Sequence, residues 1–233
     1  MKTIELSLTY ENGGSYDKKA VQPGILYMTH MTEDSRKSMT AVFHGTTMED
    51  FPVGWASESL RLNTLNGTHM CSPWHFAEAK SCGCKPFGID DFQLENGVAT
   101  GVKLDFTAVP AGTVITCAMV QEAAAKAGVE MKEGVMPFFC FGGNPVEAPK
   151  ASLSEEVINC LAEKGINVIG IDASEITDGT NAKAAAQACA NKAMYVIECV
   201  DRLAEVPGKF EVAAFPIKVK NATAAWCVPV AKF

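Results

Sequence analysis

One stretch restricts the possible folds of this chain more than any other. Tyr195-Val196-Ile197-Glu198-Cys199-Val200 is an apolar run, rich in β-branched and aromatic side chains, with a single acid inside it. Such a run reads as a strand. A carboxylate buried there costs several kcal/mol unless a metal, a cation or a hydrogen-bond donor meets it, so Glu198 either faces solvent or marks a site. The stretch follows Ala182 to Lys192, whose composition is helical, and before that helix Asn167 to Ile171 reads as a second, buried strand.

The rest of the chain alternates in the same way without the strict βα repeat of a doubly wound sheet. Thr3 to Tyr10 reads as an opening strand, ended by the turn residues Glu11-Asn12-Gly13-Gly14. Residues 17–51 are polar with little periodicity, which predicts a long loop with short strand pieces, a candidate cover for a site. Leu60 to Leu65 alternates with period two and runs into Asn66-Gly67, as a half-buried strand would. Val98 to Phe106, Gly112 to Met119, Phe210 to Val219 and Ala224 to Val230 are further strands. Val120 to Ala127 reads as a helix closed by Gly128. A second helix opens on the capping-box pair Ser152 and Glu155 and closes at Gly165.

At 233 residues with 48% hydrophobic side chains, the chain is long and apolar enough for one domain spanning residues 1–233 with a sizeable core. Its formal charge of -7 and scattered Lys and Arg residues argue against nucleic acid or an anionic membrane surface as partner. Glu5 interrupts the first apolar stretch and no run approaches a membrane span, which predicts a cytoplasmic protein. Nine cysteines spread from Cys71 to Cys227 suit reduced thiols. Cys117, Cys140, Cys160, Cys189, Cys199 and Cys227 are expected in the core.

Potential ligands are densest in Leu65-Asn66-Gly67-Thr68-His69-Met70-Cys71-Ser72-Pro73-Trp74-His75-Phe76, which holds two of the four histidines. On an extended backbone His69 and Cys71, two apart, face the same side, and Pro73 redirects the chain before His75. Imidazole nitrogen and thiolate sulfur are both good zinc donors.

The stretch resembles the His-x-Gly-Thr-His-x-Asp-x-Pro-x-His signature of the cyclase-like metal hydrolases, which include kynurenine formamidase and isatin hydrolase. Gly67, Thr68, His69, Pro73 and His75 stand in register, whereas Leu65 replaces the first histidine and Cys71 the aspartate. Gly165 to Asp172 resembles a later strand of that family. Tyr195 to Leu203 resembles the segment carrying its ligand glutamate, here Glu198, and Phe215 to Val219 resembles the strand that follows. The family's further metal-binding histidine falls near Ala186 and Gln187, and no histidine follows His75, so a two-metal site of the usual kind is not expected. The resemblance implies an α/β domain of the swivelling β/β/α type, with mixed β-sheets and flanking helices. It also implies a homodimer or homotetramer acting on a small-molecule substrate.

On the same resemblance, His69, Cys71 and Glu198 hold a metal and His75 moves protons during hydrolysis of an amide, formamide or cyclic amide. Sulfur among the donors favours zinc. A metal-free reading makes Cys71 a catalytic thiolate deprotonated by His75 or His69. A third leaves a fold that only binds a small ligand. Trp74, Phe76 and Trp55 are candidates for an aromatic substrate wall, with core packing as the alternative. Cys82-Gly83-Cys84 is a possible additional thiol pair, although its spacing from the histidines matches no familiar zinc finger. His30 and His44 read as loop residues, and Asp172 as a turn former.

Overall fold

The computed structural model describes residues 1–14, 16 and 22–233. Strands β1 (Thr3–Glu5) and β2 (Gly24–Met28) precede helix α1 (Glu33–Val42), then β3 (Ser57–Arg61), β4 (His69–Cys71) and the single turn α2 (Pro73–Phe76). The middle of the chain is β5 (Val98–Asp105), β6 (Thr113–Ile115), α3 (Cys117–Lys126), β7 (Val135–Cys140), β8 (Ala151–Leu153), α4 (Glu155–Glu163) and β9 (Val168–Ile171). Helix α5 (Ala182–Lys192), β10 (Tyr195–Glu198), β11 (Lys209–Ala213), β12 (Ala224–Trp226) and β13 (Val230–Lys232) follow.

Nine strands form one mixed sheet in the order β1-β13-β11-β5-β7-β9-β10-β4-β12. Its centre, β5-β7-β9-β10, is parallel. Parallel neighbours need crossovers, and α3, α4 and α5 lie in the segments that make them. Antiparallel strands complete both flanks, β4 and β12 on one side and β11, β13 and β1 on the other.

Side chains alternate across this sheet into two cores. Along β7, Met136, Phe138 and Cys140 join Met70, Tyr195, Ile197 and Phe210 on one face. Val135 and Phe139 join Val196, Leu161, Ile158 and Ala185 on the face covered by helices. All six residues of β7 are buried. Pro137 removes a ladder donor, which is why the sequence pattern does not announce this strand, yet burial on both faces holds it in the centre.

The predicted loop over residues 17–51 is corrected by α1, while β2 is one of the short strand pieces expected there; residues 17–21 lie outside the described residues. Helix α1 has few apolar positions, so periodicity does not reveal it. Its cap does: Thr32 accepts from the Ser35 amide, with Glu33 and Asp34 in the first turn, where the helix dipole favours acids. The opening strand shortens to three residues. Strand β3 ends at Arg61 and is exposed throughout rather than half-buried. The strand expected over 112–119 stops at Ile115, because Thr116 caps α3 and starts it at Cys117. Helix α4 is capped by Ser154, whereas the expected cap Ser152 hydrogen-bonds Asp178. Cys117 and Cys160 are joined as a disulfide between α3 and α4, which corrects the expectation of reduced thiols at this pair. Cys140, Cys189, Cys199 and Cys227 are buried, as expected. Among the described residues no helix is long and apolar enough to cross a membrane.

Candidate functional site

Strand pairing assembles the centre of the site. In the antiparallel register of β4 and β10, Glu198 lies directly opposite His69, and Val196 opposite Cys71. Because strand side chains alternate, His69, Cys71 and Glu198 point to the helix-covered face while Met70 and Ile197 enter the opposite core. Ligand atoms of the three lie within 4.8 Å of one another and all three residues are buried. Thr68 fixes the approach: its hydroxyl donates to Cys199 O at 2.6 Å and accepts from the Leu8 amide at 2.9 Å.

Just before β4, Gly67 has φ +61°, a left-handed conformation that glycine adopts without strain, and a Cβ there would lie 2.8 Å from the Tyr10 ring. Its carbonyl receives His69 Nδ1 at 2.8 Å. A carbonyl only accepts, so Nδ1 carries the proton and a neutral His69 presents a lone pair at Nε2. That nitrogen lies 3.2 Å from Glu198 Oε2. The contact is nevertheless not a hydrogen bond, and Nε2 is the buried side-chain nitrogen or oxygen left without a partner among the described residues. Two lone pairs held at this distance repel unless a proton or a metal cation lies between them.

Cys71 Sγ donates to the same Glu198 Oε2 at 3.7 Å. Burial, then the Glu198 charge, push this thiol well above its ordinary range. It also lies outside the cavity wall, set back from any substrate that the cavity holds. With a metal ion the same sulfur becomes a ligand, as oxygen, nitrogen and sulfur together suit zinc.

The site opens into a cavity of about 400 Å³. His69 and Glu198 reach it from the sheet, His75 and Phe76 from α2, and Ala182 and Ala186 from α5. Burial lowers the His75 pKa from 6.5, more than the Glu198 charge raises it, so the imidazole is neutral around neutral pH. Leu65 and Ala186 line the cavity where the signature and its later histidine suggested further donors. Gln187 faces elsewhere, donating to Ala79 O.

Among the candidate aromatic walls only Phe76 lines the cavity. Trp74 instead packs under the Lys85 ammonium, 3.6 Å from the ring centre, and Trp55 packs edge-on against Phe43. Both departures have a cause: Trp74 precedes His75 on a tight helical turn and so projects away from it, and Trp55 belongs to the outlying β2-β3 region. Sequence reasoning missed Asn63 and the segment Ser174-Glu175-Ile176-Thr177, which complete the wall. Nothing in their local pattern marks them, because loops bring them there, Asn63 from between β3 and β4 and Ser174 to Thr177 from between β9 and α5. His30 Nδ1 contacts Gly54 O and His44 is exposed, both away from the cavity. Asp172 is structural, its carboxylate accepting the Phe141 and Gly142 amides.

The Cyclase family model, described as "Putative cyclase", matches residues 4–177. Isatin hydrolase A from Labrenzia aggregata, bound to benzyl benzoate, has a TM-score of 0.74 at 15% identity, over 99% of this chain and 93% of that chain. Isatin hydrolase A from Ralstonia solanacearum has a TM-score of 0.72 at 14% identity, over 99% and 91%. A protein described as a potential metal-dependent hydrolase with cyclase activity has a TM-score of 0.66 at 19% identity, over 99% and 96%. No curated protein matches the chain significantly. The architecture is thus the expected cyclase-like α/β domain with mixed sheets and flanking helices. Since the family model covers well over half of the sequence, from the first strand to beyond β9, the chain belongs to the cyclase family.

Proposed function

We propose that this protein hydrolyses an amide, formamide or cyclic amide of a small molecule, with one divalent ion, zinc by preference, held by His69, Cys71 and Glu198. The observation that carries the reading is His69 Nε2, buried, on a ring whose Nδ1–H donates to the Gly67 carbonyl, and facing a carboxylate without a hydrogen bond. A cation among the three donors resolves that repulsion and gives Cys71 a reason to ionise. When bound, such an ion supplies Lewis acidity toward water and a carbonyl oxygen.

The chain's own groups supply the rest. His75, neutral and facing the cavity, accepts a proton from the attacking water as its oxygen bonds to the carbonyl carbon. The same imidazolium returns the proton to the leaving nitrogen as the carbon–nitrogen bond breaks. Phe76, Leu65 and Ile176 offer apolar surface to an aromatic or alkyl part of the substrate, and Asn63, Ser174 and Thr177 offer polar groups to orient it. The structural relatives named as isatin hydrolases make a cyclic aryl amide the first substrate to try.

The test is metal analysis of protein purified with zinc, together with turnover of isatin and of an aryl formamide. About one zinc per chain, lost in the His69→Ala variant along with turnover, supports the proposal; absent metal rejects it. The second reading, a protein that binds a ligand without turning it over, is favoured by the 3.2 Å contact itself, which also suits a protonated His69 beside Glu198. It requires ligand binding to persist with no metal present.

A further inference from the structure

The loop between α2 and the segment ahead of β5 carries Cys82 and Cys84, both exposed and free. The loop is well braced. Gly83 N donates to Lys80 O at 2.8 Å and Lys80 N to Cys84 O at 2.9 Å, so the two cysteines sit at the tip of a closed turn. Gly83 supplies the left-handed residue that this turn needs, at φ +79°. Ser81 is tied to Asn191 of α5 twice, through its amide at 2.8 Å and its hydroxyl at 2.9 Å. Lys80 and Lys85 are laid over Phe87 and Trp74 on either side.

The turn brings the sulfurs together. Cys84 Sγ is folded back to 4.0 Å from Cys82 O, so the two side chains share the tip of the turn. The neighbouring Cys84 draws Cys82 below its ordinary range and Cys82 pushes Cys84 above it, while the Lys80 charge favours ionisation of both. One sulfur is thereby readied to attack and its neighbour held in reserve, both open to solvent, in contrast to the buried core thiols.

We propose that Cys82 and Cys84 form a dithiol site for thiol–disulfide exchange with small or protein disulfides, Cys82 being the attacking and Cys84 the resolving residue. The Cys82 thiolate bonds to one sulfur of a disulfide RSSR and displaces RS⁻, leaving a mixed disulfide. Cys84 gives up its proton and attacks Cys82 Sγ, displacing the second RS⁻. Two cysteine thiols are oxidised to one S–S bond and RSSR is reduced to two RSH, which take up the two protons. The inference does not depend on the metal site or on hydrolysis.

The experiment equilibrates the wild-type protein and the Cys82→Ser and Cys84→Ser variants with excess glutathione disulfide, quenches in acid and maps the peptides. Mapping separates this pair from Cys117 and Cys160. The wild type is expected to close a Cys82–Cys84 disulfide free of glutathione, and Cys84→Ser to retain glutathione on Cys82. Iodoacetamide at pH 7 should label Cys82 in Cys84→Ser at least ~3-fold faster than Cys84 in Cys82→Ser. A wild type that keeps both thiols, or that retains glutathione without closing the ring, overturns the proposal. So does faster labelling of Cys84. The wild-type result stands alone if either variant misfolds.

Discussion

The Glu198→Gln substitution tests the metal centre with a readout independent of catalysis. It preserves the shape of a buried side chain paired opposite His69 and removes the charge that three donor atoms share. A ligand that binds only the folded state stabilises it by RT ln(1 + [L]/Kd), or about 2.7 kcal/mol at a hundredfold excess over Kd. In a chain of this length each kcal/mol moves Tm by about 2–4 °C, so zinc at that excess should raise Tm by about 5–11 °C. Loss of an outer partner of a metal ligand already costs about 10–100-fold in affinity, and loss of a ligand itself should cost at least ~100-fold. At the same zinc concentration the variant then retains about 0.4 kcal/mol, a shift of about 1–2 °C. The assay is thermal unfolding with and without zinc, each variant compared with itself so that changes in intrinsic stability cancel. It is run in a Cys82→Ser, Cys84→Ser background to silence the exposed thiols. If the parent does not respond to zinc, or if Glu198→Gln responds as strongly, the three residues are not a metal site.

Four further outcomes follow from the geometry. Replacing Cys71 by Asp should move the preference from zinc toward manganese, read by competition between the two ions, since oxygen donors are harder than sulfur. In kcat/KM against pH, the acid limb should fall below pH 6.5: burial lowers the His75 pKa, the base works only when neutral, and activity declines as pH drops through that value. A limb centred higher would count against His75 as the base. Gly67→Ala should lower Tm by at least about 2–4 °C, because a left-handed alanine costs about 1–2 kcal/mol before its contact with Tyr10 is considered. The two-stranded β2-β3 sheet stands outside the main sheet with Leu26, Tyr27 and Leu60 exposed. A two-stranded sheet is marginal alone, so light scattering should report a homo-oligomer that Leu26→Lys with Leu60→Lys dissociates.

The centre of the site was readable because its logic is local. An acid inside an apolar strand and two donors at i and i+2 each declare a face, and the pattern Gly67 to His75 supplies the resemblance that joins them. The strands and the helix from Asn167 to Ile197 were readable for the same reason, being regular, long or strongly apolar. What escaped depends on context. Strand β7 hides behind Pro137, α1 is stabilised by its cap and by Arg36 contacts to Met48 O and Phe51 O rather than by an apolar stripe, and Ser174 to Thr177 reach the cavity only through the turn after β9. Cys117 and Cys160 look like ordinary core thiols because their partnership spans 43 residues and depends on how α3 meets α4.

The pairing of β4 with β10 ties this protein's chemistry to the packing of its core. A one-residue slip of β4 against β10 would turn His69 and Cys71 into the oily interior now occupied by Met70, part them from Glu198, and carry Met70 to the helix-covered face in their place. Drift of alignment is therefore closed as an evolutionary route. A lineage with this scaffold can retune or abandon its reaction only by exchanging one side chain for another in a fixed frame, and Leu65 and Cys71 have the character of such exchanges.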